Sequence, residues 1–282
     1  MDQKALDDAY DQSKYASNQE QLGRRRAWLS ELARQRLGQP KRFAYGPTPI
    51  EGLDLYPARQ PNAPIVVFTH GGAWRTGVAR DNAFAAEMFV NAGAHFIALD
   101  FNNVTEVGGD LMVLAEQVRR AVAWVYTNAA SFSGDRERFY VAGHSSGGHL
   151  TGVLLTTDWG RYGLPEKFIK AGVCSSGMYD LAPVRLSARA KYVAFTDEIE
   201  QELSSQRHLD RLHCPVIVSY GTLETPEFQR QARDFAAAAK AAGKAVTLLV
   251  GEACNHFEMA ELLGNPYGLT GHAALELMGL RR

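Results

Sequence analysis

The sequence has little cysteine, no excess of either charge and no long apolar run, and each shortage excludes something. Three cysteines, Cys174, Cys214 and Cys254, are spread over 282 residues. An odd number at wide spacing gives no disulfide framework. The first falls in an apolar strand and the second just before one, as buried thiols do; Cys254 stands two residues before a histidine discussed below and is given no chemical role. Lysine and arginine number 30 and aspartate and glutamate 31, a net charge of −1, which leaves no electrostatic footprint for nucleic acid or an anionic membrane. The one basic run, Arg24-Arg25-Arg26, lies in a helical stretch of mixed charge and reads as a solvated helix face. No segment is long and apolar enough to span a bilayer, and the polar, acidic N-terminus carries no signal segment, so a reduced, cytoplasmic location is expected. Neither a His-Glu-x-x-His motif nor a pair of Cys-x-x-Cys motifs occurs, and no histidine pairs at metal spacing with carboxylates. No metal and no cofactor is expected.

What is present is an alternation of short apolar runs with amphipathic stretches. Residues 4–37 read as helical, with Leu6, Tyr10, Leu22, Leu29 and Leu32 among charges, ending at Gly38 and Pro40. Gly52 to Tyr56 alternates like an exposed strand. Ile65-Val66-Val67-Phe68 is a continuous apolar run of the kind found in buried parallel strands. A helix over about 82–90, a strand at 96–99, an amphipathic helix from Leu111 to Tyr126 and a strand at 139–142 follow. Further strands are read at 171–174, 216–219 and 246–250, with an Ala-rich helix from Phe228 to Ala242. Residues 180–212 are rich in charge and poor in strand character, as a small helical cap inserted over a sheet would be. This β-α order predicts one α/β domain over 1–282, a mostly parallel sheet covered on both faces.

In such sheets the chemistry gathers beyond the carboxyl ends of the strands. After the strand at 139–142 comes Gly143-His144-Ser145-Ser146-Gly147, followed by a helix. A Gly-x-Ser-x-Gly at a strand–helix junction is the nucleophile elbow of an α/β-hydrolase, in which tight turning requires small flanking residues and holds the serine out. Ser145 is therefore the candidate nucleophile. After Phe68 comes Thr69-His70-Gly71-Gly72-Ala73-Trp74, the HGG-type loop whose amides accompany an elbow serine. The N–H groups of Gly71, Gly72 and Ser146 are the expected oxyanion hole. His256 follows the last strand and is the candidate general base. For the acid that orients it, Glu224 is favoured by its place after the penultimate strand and by the order serine, acid, histidine. Asp180 and Glu227 are rivals: the first reads as a cap on the segment after it, the second as a helix-start charge behind Pro226. His70 and His144 read as residues that shape their loops.

With those residues in view, the chain resembles the kynurenine formamidases of the α/β-hydrolase superfamily over most of its length. The resemblance is carried by His70 to Trp74, Gly143 to Leu150, Thr157-Asp158-Trp159, Ser176 to Leu181, Pro226 to Gln231 and Asn255-His256-Phe257. It implies hydrolysis of N-formylkynurenine to kynurenine and formate by a serine, an acid and a histidine without metal. Those roles fall on Ser145, Glu224 and His256. Two positions depart from the family: the acid is usually aspartate, and the residue after the nucleophile is commonly alanine rather than Ser146, whose hydroxyl is free to meet a polar substrate group.

Aromatic and polar residues next to strand ends are the candidate substrate contacts: Trp74, Phe101, Asn102, Trp159, Tyr162, Tyr179 and Phe257. Core packing and turn geometry are the competing roles for them. The expected partner is a small aryl amide or ester, with a second copy of the chain as the only macromolecular partner considered. A carboxylesterase, or a hydrolase of related amides and carbamates, would use the same residues. A non-catalytic receptor on this fold would be expected to lack the base or the acid, and here all three positions are filled.

Overall fold

A computed structural model describes residues 2–280. Among them, eight strands form one sheet: β1 Lys41–Ala44, β2 Gly52–Tyr56, β3 Ala63–Thr69, β4 His95–Leu99, β5 Gly134–His144, β6 Ile169–Ser175, β7 Val216–Gly221 and β8 Val246–Gly251. Their spatial order is β1-β2-β4-β3-β5-β6-β7-β8. β2 runs antiparallel to β1 and β4, and every other neighbouring pair is parallel. The reading of the sequence did not include β1, a charged, largely exposed edge strand with no apolar run to mark it.

The continuous apolar run in β3 follows from burial on both sides. Successive side chains of a strand alternate in direction, so Ile65 and Val67 enter one core and Val66 and Phe68 the other. The helices Leu111–Asn128 and Pro226–Ala241 feed the first core; Ala86–Asn91 and Leu269–Leu277 feed the second. Between β6 and β7 the chain makes only helical turns, including Ala182–Arg185 and Asp197–Leu203.

The N-terminal stretch is not the continuous helix expected over 4–37. It is a helix Gln3–Ala9, a 3-10 turn Gln12–Tyr15 and a helix Gln19–Leu37. The break follows from side chains that compete for backbone: Asp11 accepts from the Ser13 N–H at 3.1 Å and starts the 3-10 turn. The break folds this stretch over the carboxyl ends of the parallel strands, where the candidate residues lie.

Candidate active site

Gly71, Ser145, Glu224 and His256 leave the carboxyl ends of β3, β5, β7 and β8. Because those strands run parallel, the ends share one edge of the sheet.

At the elbow Ser145 has φ 61° and ψ −126°, a conformation costly for a side-chain-bearing residue. It is held by Ser145 N–H to Ser175 O at 2.9 Å and by His149 N–H to Ser145 O at 3.0 Å. The flanking glycines are demanded by space: a Cβ on Gly147 would overlap Thr69 O, and one on Gly143 would overlap Gly147 O. The serine accordingly stands over the first turn of the helix Ser146–Leu155.

His256 opens the helix His256–Leu263 behind Asn255, which caps it and shares a capping box with Glu258. Its Nδ1 lies 2.8 Å from Glu224 Oε2, and its Nε2 lies 2.8 Å from Ser145 Oγ. A carboxylate only accepts, so Nδ1 carries the proton and Nε2 accepts from the Ser145 hydroxyl. Glu224 is 1% exposed. Its other oxygen, Oε1, accepts from Ser176 Oγ at 2.6 Å and from Gly221 N–H at 2.8 Å. The glutamate thus reaches the imidazole with both oxygens satisfied. Asp180 is elsewhere, accepting from Ala182 N–H at 3.2 Å and facing Arg207 at 3.5 Å. Glu227 accepts from Tyr10 Oη at 2.9 Å and pairs with Arg230 at 2.7 Å.

The loop after β3 runs through positive φ at Gly72, Ala73 and Trp74. Gly71 packs against the elbow, where a Cβ would come within 2.8 Å of His144 O and 3.0 Å of Ser145 Cβ. Among the described residues the N–H groups of Gly71, Gly72 and Ser146 donate to no protein acceptor. The Ser146 hydroxyl, by contrast, accepts from Trp74 N–H at 3.2 Å and ties the two loops together instead of meeting substrate.

Three buried histidines brace the site in their neutral forms. His70 stacks on Phe101 at 4.3 Å, and burial lowers its pKa. His144 donates from Nε2 to His256 O at 2.8 Å, with its pKa pushed well down by burial and by His256. His149 donates from Nε2 to Leu203 O at 2.9 Å and accepts from Trp74 Nε1 at 3.3 Å, linking the loop after β3 to the segment between β6 and β7. Burial pushes its pKa down to about 4. Among the described residues no group of three His, Cys, Asp or Glu is placed to hold a metal ion.

Ser145, His144, His256, Gly71 and Gly72 open into a cavity of 1370 Å³, roofed by the N-terminal segment. Of the seven candidate substrate contacts, Phe257 lines it and the other six do not. Trp74 is buried edge-on against His149, and Phe101 is the platform for His70. Asn102 exchanges hydrogen bonds with Gln117 at 2.9 and 2.6 Å, as a turn residue. Trp159 packs on Phe168, and Tyr162 donates to Glu116. Tyr179 is fully buried, stacked on Phe235 and bonded to Cys174 O. Strand-end aromatics serve the core here because helices cover the sheet up to its edge. Residues that sequence reasoning missed are Ser176 and Gln12 beside Glu224, and the roof itself. Ser176 lay in a quoted motif, whereas Gln12 stood in a polar stretch with nothing to mark it.

The BD-FAE family model matches residues 53–179. The chain is 30% identical to kynurenine formamidase of Danio rerio over 83% of its own length and 80% of that protein's. It is 28% identical to the esterase LipC of Mycobacterium tuberculosis over 70% of this chain and 51% of that one. Among solved structures, a putative thioesterase of Silicibacter sp. superposes with a TM-score of 0.80 at 24% identity, covering 93% of this chain and 95% of the other. The esterase of Pyrobaculum calidifontis gives 0.74 at 18% identity, over 94% and 92%. The sheet is that of the α/β-hydrolase fold, and by identity and shared length the chain belongs to the kynurenine formamidase family.

Proposed function

We propose that this amide or ester hydrolase works through an acyl-enzyme on Ser145 and that its substrate is a small N-formyl aryl amide such as N-formylkynurenine. The observation that carries the mechanism is the unbroken relay from Ser145 Oγ through His256 to Glu224, both links at 2.8 Å. Ser145 Oγ attacks the formyl carbon as His256 Nε2 takes its proton, and Glu224 stabilises the imidazolium. The carbonyl oxygen, now negative, meets the amides of Gly71, Gly72 and Ser146. On collapse His256 returns the proton to the departing aryl nitrogen, which leaves as an amine. Water, deprotonated by the same imidazole, then releases formate from the serine. The substrate reading is supported by the relatives named kynurenine formamidase.

The test is hydrolysis of N-formylkynurenine and p-nitrophenyl acetate by the wild type and by Ser145→Ala. Deformylation that falls at least ~10³-fold in Ser145→Ala is the expected result. Ester cleavage without deformylation would keep the serine mechanism and move the substrate to the esters. Turnover unaffected by Ser145→Ala would overturn the proposal.

A further inference from the structure

The three arginines of the basic run part company in the fold. Helical spacing turns each about 100° from the last. Arg24 pairs with Glu20 on the outer surface, and Arg25 forks onto Glu261 with both oxygens engaged. Arg26 turns inward, half-buried, and borders the cavity that holds Ser145 and His256. Among the described residues it has no hydrogen-bond or ion-pair partner. Glu261, the carboxylate whose field reaches it, is committed to Arg25. A guanidinium withdrawn from water without a counter-charge is costly unless something else supplies the charge.

The rest of the cavity wall does not supply it. Its charged side chains are six cations and four anions, in a chain whose net charge is −1. Asp8 is held by Lys4 and Lys14, Asp7 accepts from Gln3, and Asp11 is engaged by Ser13. Asp81 is exposed at the rim. Of the other cations, Arg75 lies over the Tyr192 ring. Arg189 donates to Tyr10 O and Tyr192 Oη and lies over Trp74. Lys191 is exposed. Arg26 alone combines burial with a full set of unused donors.

We infer that Arg26 binds a carboxylate carried by the substrate, so that the aryl amides this enzyme prefers are acids rather than neutral anilides. The inference rests on the amide-hydrolase reading above and adds to it the residue that selects the substrate. A planar guanidinium with its fork free is suited to a carboxylate.

The experiment uses two matched pairs, each compared as kcat/KM in the wild type, Arg26→Gln and Arg26→Lys. One pair is N-formylkynurenine and its carboxamide; the other is two aryl acetates differing only in a carboxylate on the aryl side. The wild type is expected to favour the charged member of each pair. That preference should fall about 10- to 100-fold in Arg26→Gln, chiefly through KM, and be kept only in part in Arg26→Lys, which retains the charge and loses the fork. A charged-to-neutral ratio unchanged in Arg26→Gln overturns the assignment, since misfolding or a disturbed triad lowers both members of a pair together. Inorganic phosphate that inhibits both acetates equally in the wild type and not in Arg26→Gln would also overturn it, by assigning Arg26 to a free anion. If the wild type cleaves the acetates and neither formamide, the amide reading fails while the acetate pair still decides the role of Arg26.

Discussion

The side chain of Gln12 is joined twice to Thr225, once to its backbone and once to its hydroxyl. Gln12 Oε1 accepts from Thr225 N–H at 3.1 Å, and Gln12 Nε2 donates to Thr225 Oγ1 at 3.2 Å and reaches Glu224 Oε2 at 3.5 Å. A second brace lies nearby, where Asn255 Nδ2 donates to Asn18 Oδ1 at 2.7 Å and Asn18 Nδ2 to Glu258 at 3.1 Å. The N-terminal segment therefore grips the loop that presents the acid and the cap that presents the base.

Removing the first grip should act on turnover. Gln12 is 6% exposed, so Gln12→Ala leaves buried polar groups of Thr225 unpaired at a cost of about 1–3 kcal/mol. We expect kcat for either substrate class to fall roughly 3- to 30-fold with KM little changed, since a poorly oriented acid stabilises less well the imidazolium that forms only in the transition state. Steady-state kinetics beside a urea melt checks this. A raised KM with kcat intact would mean that Gln12 merely lines the cavity.

The acid makes a sharper pair of predictions. In Glu224→Gln the carboxamide can still accept from Ser176 and Gly221, but its NH₂ then faces His256 Nδ1. Two donors cannot pair, so the imidazole is driven to the tautomer whose Nε2 carries the proton and cannot accept from Ser145. A fall in kcat of about 10²–10⁴ follows. Asp180→Ala removes only a hydrogen bond from Ala182 N–H and a partly exposed ion pair with Arg207, and activity should stay within about twofold of wild type. Activity lost in Asp180→Ala and kept in Glu224→Gln would reverse the two roles.

Parts of this site that were legible in the sequence are those where backbone geometry dictates residue type. Gly71, Gly143 and Gly147 stand where a Cβ has no room, so the motif is a record of close approach, and it marks Ser145 directly. His256 and Glu224 were legible because their places after β8 and β7 follow from topology. The N-terminal roof was not. Its periodicity predicts one helix, and the break at Asp11 that brings Gln12 and Arg26 to the cavity is paid off by contacts with residues more than 200 positions away. The aromatics were misplaced for the same reason: the covering helices that bury Trp159 and Tyr179 have no local signature at those residues.

Gly71 offers a test of the oxyanion loop that leaves every side chain of the triad in place. A methyl at this position must push against His144 O and Ser145 Cβ, at 2.8 and 3.0 Å, and the loop has to move away from the serine. Gly71→Ala should lower kcat by about 10²–10³, the usual cost of losing one oxyanion donor. The measurement is kcat on the formamide and on p-nitrophenyl acetate, with near-wild-type circular dichroism as the control. Turnover within threefold of wild type would remove this loop from the oxyanion hole.

The buried neutral histidines make stability depend on pH. His70, His144 and His149 have folded pKa values below the ordinary histidine value of 6.5, that of His149 about 4. Below 6.5 the unfolded chain binds protons that the folded chain refuses. Stability is therefore fully present above about pH 6.5 and is lost as pH falls toward 4. Burial is the main cause at each site. His149 in addition sits between Trp74 and Leu203 O under the fields of Arg189 and Arg119, and His144 faces His256 and the field of Arg26. Melting temperature should hold from pH 7.5 to about 6.5 and drop from there to 4.5, and His149→Gln, which has nothing to titrate, should flatten part of that slope. A melting temperature constant over the range would show that these imidazoles take up protons while folded. The Trp74–His149–Leu203 link could then not be built as it stands, because a protonated Nδ1 cannot accept from the indole.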